Sequence, residues 1–349
     1  MVVSAEPMAS KSGLYLRFYG LAEKPFNLTP DPKFLVYTPS HREALAQLIY
    51  GVQDRKGFIL LTGEVGTGKT TLLRTLLTRL EGKAEVAFII NSTLQFDELL
   101  EYILADFGVG GVVGSRAQRL MALNRFLIDH RKSNGNTVII IDEAQNLDIR
   151  TLEQIRLLSN FETHSDKLLQ IVLAGQPELR VKLQRPELRQ LRQRIGLRCA
   201  ITPMDGEQIE QYIVSHLRVA GASDLQLFSR AAVRRIAEYS GGIPRVVNMV
   251  CDHSLLLGYA NQVRRIEVDI VKRAVAYLEQ GAAVGAVRWP RPAESRSVAR
   301  YRAGVLVAGG VGAAVVALSA YAGDSGGVST AMMGSFLSFM QWLLHWWRL

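Results

Sequence analysis

Gly63-Glu64-Val65-Gly66-Thr67-Gly68-Lys69-Thr70 follows an apolar run, Phe58-Ile59-Leu60-Leu61, and opens a helix-like run, Thr71-Leu72-Leu73-Arg74-Thr75-Leu76-Leu77. A strand, a glycine-rich loop and a helix in that order make a phosphate cradle. The glycines let successive backbone N–H groups turn inward, and the helix N-terminus adds its partial positive charge. Lys69 has the reach to meet β- and γ-phosphates, and the Thr70 hydroxyl suits Mg²⁺. The loop, together with Thr71, therefore predicts a site for a magnesium–nucleoside triphosphate.

Working outward, short apolar runs alternate with helix-length segments. The runs Phe58–Leu61, Val86–Ile90, Val138–Ile141 and Leu169–Leu173 are almost wholly apolar, as strands are when helices cover both faces of a parallel sheet. Helical spacing appears over 96–107, 116–132 and 152–162, and before the first strand over His41–Val52. This predicts an α/β doubly wound core over residues 18–205, with the ligand at the carboxyl ends of the strands. Residues 1–17 read as a loose leader.

Other strand ends supply the rest of the site. Val138-Ile139-Ile140-Ile141 ends in Asp142 and Glu143. Asp142 is placed to hold the Mg²⁺ shell, and Glu143 to act as general base on the attacking water. Gln176 follows the strand at Leu169–Leu173 and could bond to the γ-phosphate or that water. Asn91 ends the strand at Val86–Ile90 and could hold Glu143 away from water. Charge neutralisation in phosphoryl transfer calls for arginine. Arg194, with Arg192 and Arg189 as alternatives, lies past the fourth strand, where a neighbouring subunit could receive it.

After Pro203 the strands stop. Four helical segments between Glu207 and Leu278 predict an all-helical lid domain over 206–280. Gly241-Gly242-Ile243-Pro244-Arg245 opens one lid helix, with Pro244 suited to an early helical position and Arg245 able to swing onto the γ-phosphate. An Arg-rich linker occupies 281–302. Gly304 to Ala322 carries no charge and would span about 29 Å as a helix. Residues 303–322 are thus expected to cross a membrane, with Arg300 and Arg302 on the cytoplasmic side. The apolar tail 323–349 either returns as a hairpin or lies in the interface.

Composition narrows the function classes. A hydrophobic content of 48% excludes wholesale disorder, and the net charge of +9 calls for an acidic partner. The arginines concentrate between Arg288 and Arg302 and between Arg180 and Arg198, not in a diffuse stripe, which argues against nucleic acid and leaves anionic lipid for the first cluster. Cys199 and Cys251 have no partner spacing and read as packed thiols. No apolar leader segment is present, so the globular part is expected at the cytoplasmic face of the inner membrane.

The cradle, the Asp-Glu strand, the polar residue after the fourth strand, the distal arginine and the Gly-x-Pro-Arg lid together resemble an AAA+ ATPase. Tyr19-Gly20-Leu21, Pro25-Phe26, Thr29-Pro30-Asp31-Pro32, Gly63–Thr70 and Leu173-Ala174-Gly175-Gln176-Pro177-Glu178-Leu179 resemble the general secretion pathway protein A family more narrowly. The resemblance covers residues 14–280. It implies ATP hydrolysis in a ring or dimer with an arginine finger in trans, and cell-envelope assembly or export proteins as partners. Secretion members carry a peptidoglycan-binding domain beyond the membrane helix. Residues 323–349 are too few for one, so the exosortase and exopolysaccharide type fits better. The alternatives are a DNA-binding ATPase of transposition type and a nucleotide-switched scaffold with weak turnover.

Overall fold

The computed structural model describes residues 15–29, 32–34, 36–90, 93–111, 114–162 and 167–282. The first part runs α1 (Leu16–Tyr19), α2 (Pro39–Gln53), β1 (Phe58–Gly63), α3 (Lys69–Leu80), β2 (Glu85–Ile89), α4 (Phe96–Asp106), α5 (Arg116–Lys132) and β3 (Thr137–Ile141). Then come α6 (Ile149–Leu158), β4 (Gln170–Gly175), α7 (Pro177–Lys182), α8 (Arg189–Arg194) and β5 (Ile195–Ile201). Four helices close the described region: α9 (Gly206–Val219), α10 (Arg230–Ser240), α11 (Pro244–Ala260) and α12 (Val268–Ala282). Asn91, the segment 303–322 and the tail 323–349 lie outside the described residues. Among those described, no helix is long and apolar enough to cross a membrane.

All neighbouring strands of the sheet run parallel, in the order β2-β3-β4-β1-β5. Side-chain alternation splits each central strand between two cores. Phe58, Leu60, Ile139, Ile141, Ile171 and Leu173 pack under α4, α5 and α6, whereas Ile59, Leu61, Val138, Ile140, Val172 and Ala174 pack under α2 and α3. Burial on both faces is why β1, β3 and β4 lack a polar alternation. β1 lies between β4 and β5, and the chain leaves its carboxyl end for β2 at the far edge of the sheet. The glycine-rich loop leaves the sheet at that carboxyl end.

β5 was not foreseen: its residues were read as lying past the last strand. Among the described strands it is an edge strand paired only with β1, and along Ile195-Gly196-Leu197-Arg198-Cys199-Ala200-Ile201 buried or half-buried residues alternate with exposed Gly196, Arg198 and Ala200. The hydrophobic run that marks a doubly covered strand is absent at an edge, so the signal is weak there.

The N-terminal boundary also differs from expectation. Tyr15 is buried rather than part of a loose leader, and Tyr15, Tyr19, Leu21 and Phe26 belong to the core of α9–α12, not to that of the sheet. Burying each such aromatic contributes roughly 2–3 kcal/mol. Ala22 N–H donates to the Ala220 carbonyl at 2.8 Å, the Tyr19 hydroxyl to the Val263 carbonyl at 3.0 Å, and Arg264 to the Phe18 carbonyl at 2.7 Å. The Tyr15 hydroxyl bonds Asp252. The segment before α2 is thereby stapled to the helical domain and reaches the sheet side with Tyr37, whose hydroxyl donates to Thr75 Oγ1 at 3.2 Å, and Thr38, which caps α2.

Candidate functional site

A cleft of about 570 Å³ lies between the glycine-rich loop and the helical domain. Val65–Thr71 and Glu143 line one wall, and Pro25, Phe34, Met204, Tyr212 and Arg245 line the other. The loop's backbone needs glycine at Gly66 (φ 80°) and Gly68 (φ 97°), both left-handed. Gly68 caps α3, so the first N–H groups of that helix face the cleft without intrahelical partners.

Lys69 is only 4% exposed, and its ammonium donates to the carbonyls of Gly63 at 2.9 Å and Glu64 at 3.1 Å. Burial lowers its pKa, and the carboxylates of Glu143, Asp142, Glu64 and Glu178 act the other way. A buried lysine whose contacts are neutral carbonyls is poised to accept an anion. The Thr70 hydroxyl donates to Asp142 Oδ2 at 2.7 Å, while Asp142 Oδ1 accepts the Glu143 N–H at 2.9 Å. The Asp142 N–H donates to the Ile89 carbonyl at 2.9 Å, so β2 fixes the end of β3. One hydroxyl and one carboxylate side by side fit Mg²⁺, which takes few protein oxygens and leaves the rest to phosphate and water.

Glu143 adopts φ 51°, a left-handed conformation that costs a non-glycine residue about 1–2 kcal/mol. The turn lifts its carboxylate beside the start of α7, where Oε2 accepts from Gln145 Nε2 at 2.5 Å and Gln176 Nε2 at 3.1 Å. Burial pushes the Glu143 carboxyl up, but the two amides and the Lys69 charge outweigh it, and the net shift is downward. A base held ionised can accept a proton from water. Gln145 also receives the Gln176 N–H on its Oε1 at 3.1 Å. Lys182 ties the backbone behind it by donating to the Gln145 carbonyl and, at 2.8 Å, to the Leu147 carbonyl.

Arg245 sits in the first turn of α11, and its N–H donates to the Gly66 carbonyl at 3.3 Å, so the helical domain and the loop touch directly. The Met204 N–H donates to the Gly242 carbonyl at 2.9 Å, tying the exit from β5 to the turn before α11. Arg189, Arg192 and Arg194 are all on α8, and none is among the cleft-lining residues. Arg194 bonds Ser159 Oγ at 2.5 Å, Arg192 bonds the Gln184 carbonyl at 3.4 Å, and Arg189 is exposed.

Several lining or supporting residues were not anticipated: His41, Gln145, Lys182, Met204, Tyr212 and His216. Gln145 could have been suspected from its place two residues after Glu143. The others come from elements distant in sequence and leave no local trace. His216 stacks on Phe26 with ring centroids 5.6 Å apart and lies 4.1 Å from Tyr212, forming an aromatic wall. Burial lowers the His216 pKa against hydrogen bonds to the Pro25 and Phe34 carbonyls. Cys199 and Cys251 are buried free thiols; burial pushes Cys199 to about 11 and Cys251 well above its ordinary value.

Residues 52–183 match the AAA domain family. The chain is 42% identical over 254 residues to general secretion pathway protein A of Aeromonas hydrophila, covering 72% of this chain and 46% of that protein. It thus spans about half the length of that curated relative. Among solved structures, Cdc6p from Pyrobaculum aerophilum superposes with a TM-score of 0.56 at 17% identity, over 75% of this chain and 73% of that one. A chain of Drosophila ORC bound to DNA gives 0.58 at 19% identity, over 98% and 86%. At these identities the likeness is one of fold alone.

Proposed function

We propose that this chain, an AAA+ ATPase related to general secretion pathway protein A, is tethered to the inner membrane through residues 303–322 and couples ATP binding and hydrolysis to assembly or export of cell-envelope material. The observation that carries the catalytic half of this reading is the convergence of three strand ends on one cleft. Lys69 and Thr70 follow β1, Asp142 and Glu143 follow β3, and Gln176 follows β4.

Mg²⁺, held by Thr70 and Asp142, would neutralise charge on the β- and γ-phosphates. The loop N–H groups and Lys69 bind and orient the triphosphate. Glu143 accepts a proton from the water that attacks the γ-phosphorus, while Gln176, bonded to that carboxylate, fixes the direction of attack. Arg245 closes the cleft from the lid and adds positive charge where negative charge develops. An arginine of α8 completes the site of a neighbouring subunit in a ring or dimer. The 42% identity to the Aeromonas protein supports the envelope role, and the uncharged run 304–322 supports the tether.

The full-length protein should hydrolyse ATP in a Mg²⁺-dependent manner, with a specific activity that rises with protein concentration. Lys69→Ala should abolish nucleotide binding, and Glu143→Gln should bind ATP without turning it over. Deleting 303–349 should move the protein from the membrane fraction to the soluble one. Wild-type turnover in both point variants would overturn the catalytic assignment. Unchanged membrane association of the deletion would overturn the tether.

A further inference from the structure

His41 stands at the start of α2 yet lines the nucleotide cleft, and no step above uses it. Its Nε2 lies 2.8 Å from the Thr67 carbonyl oxygen, and its Nδ1 lies 2.6 Å from the Thr38 hydroxyl. A carbonyl can only accept, so Nε2 carries the hydrogen. In the neutral ring Nδ1 is then bare and accepts the hydroxyl hydrogen of Thr38. The same Thr38 oxygen accepts the His41 N–H at 3.4 Å and thereby caps α2. His41 is buried, which lowers its pKa and keeps the ring neutral.

The Thr67–Gly68 peptide is trans, as are all the described peptides. Its carbonyl and its N–H therefore lie in one plane and point in opposite directions within it. Among the described residues the Gly68 N–H donates to no carbonyl. Gly68 at φ 97° has the freedom of a residue without Cβ, so the plane would rotate readily if nothing held it. A Cβ at this position would lie 3.1 Å from His41 Nε2, which shows how closely the ring abuts the loop.

We propose that His41 is a positioning residue for nucleotide binding: by holding the Thr67 carbonyl outward it aims the Gly68 N–H at the phosphates. The chain of contact runs from the Thr38 cap through the imidazole to the loop, so α2 sets the shape of the anion cradle. This rests on the ATP-binding reading above.

The test measures affinity of the full-length protein for a fluorescent ATP analogue with Mg²⁺, and for adenosine by competition. His41→Ala should weaken ATP binding about tenfold, the equivalent of one lost hydrogen bond and some loop disorder. His41→Gln, whose amide can donate to the same carbonyl, should recover to within about threefold of wild type. Thr38→Val, which leaves the ring but removes its orienting partner, should fall between them. Adenosine, lacking phosphates, should bind wild type and His41→Ala alike. The proposal is overturned if His41→Ala binds ATP like wild type, if adenosine weakens by the same factor, or if His41→Gln does no better than alanine. Should His41→Ala fail to fold, the His41→Gln and Thr38→Val arms decide between the same outcomes. Lys69→Ala separates the two levels: if it binds ATP normally, the nucleotide reading fails, whereas its loss beside an unaffected His41→Ala refutes the positioning role alone.

Discussion

Gly66→Ala tests whether loop and lid are one mechanical unit. At φ 80° an alanine would sit in the left-handed region at a cost of about 1–2 kcal/mol. Its Cβ would also fall 2.8 Å from the Arg245 Cβ and 3.1 Å from Ile243 Cγ2. Neither neighbour is the free end of a long side chain, so the start of α11 must retreat. Retreat weakens the 3.3 Å bond from Arg245 N–H to the Gly66 carbonyl. A hydrogen bond of that kind contributes about 1 kcal/mol, bringing the total to roughly 2–3 kcal/mol. Kept as strain, this lowers the melting temperature by roughly 4–10 °C. Relieved by an open lid, it appears instead as ATP affinity weakened about 30- to 150-fold. Thermal melts and nucleotide titration on the same sample capture both routes. Arg245→Gly removes the clashing Cβ, so a double-mutant cycle with Gly66→Ala should return a coupling of about 1 kcal/mol. A melting temperature within about 1 °C of wild type, with unchanged affinity, would refute both the steric and the conformational premise.

Three further outcomes follow from individual residues. Gln176→Ala removes one of the two amides on Glu143 and should lower kcat about a hundredfold with little change in KM; a change confined to KM would assign Gln176 to ground-state binding. Gln170 is fully buried in β4, where it accepts from the Gly57 N–H at 2.8 Å and donates to the Lys167 carbonyl at 3.1 Å. Gln170→Leu leaves both backbone groups unpaired and should cost about 2–4 kcal/mol in denaturant unfolding, against near zero if the bonds are incidental. Burial holds His41 and His216 below the ordinary value of 6.5, so the unfolded chain takes up more protons as acid is added. Stability should therefore fall as pH drops below 6.5 and stop falling from this source once both folded values are passed. Melts from pH 8 to pH 5 should show the decline, and His216→Phe should flatten it; parallel curves would exclude these rings as its source.

The nucleotide half of this protein was legible because its evidence is local. A phosphate cradle needs glycines, a lysine and a hydroxyl within one turn of chain, so Gly63–Thr70 announces itself with its flanking strand and helix. Asp142 and Glu143 were readable for the same reason: β3 is buried on both faces, and an acidic pair ending so apolar a run stands out. Helix 116–132 is capped by Ser115 next to it in sequence, and its bounds agree with expectation.

What escaped were features made by residues far apart in the chain. β5 is an edge strand whose apolar run is broken by Gly196 and Arg198, and nothing local distinguishes it from a loop. Tyr15–Phe26 carries aromatics without a pattern; only its packing among α9–α12 shows that it belongs to the helical domain. Gln145 holds Glu143, and His41 holds the loop, through contacts that side-chain direction and chain crossing create. The sequence by itself determined the glycine-rich loop between β1 and α3 and the acidic pair that ends β3, since each is written within a few consecutive positions. The tertiary structure alone decided how the cradle is held, because a hydrogen bond between Thr67 and a ring 26 positions earlier depends on where the folded chain brings α2.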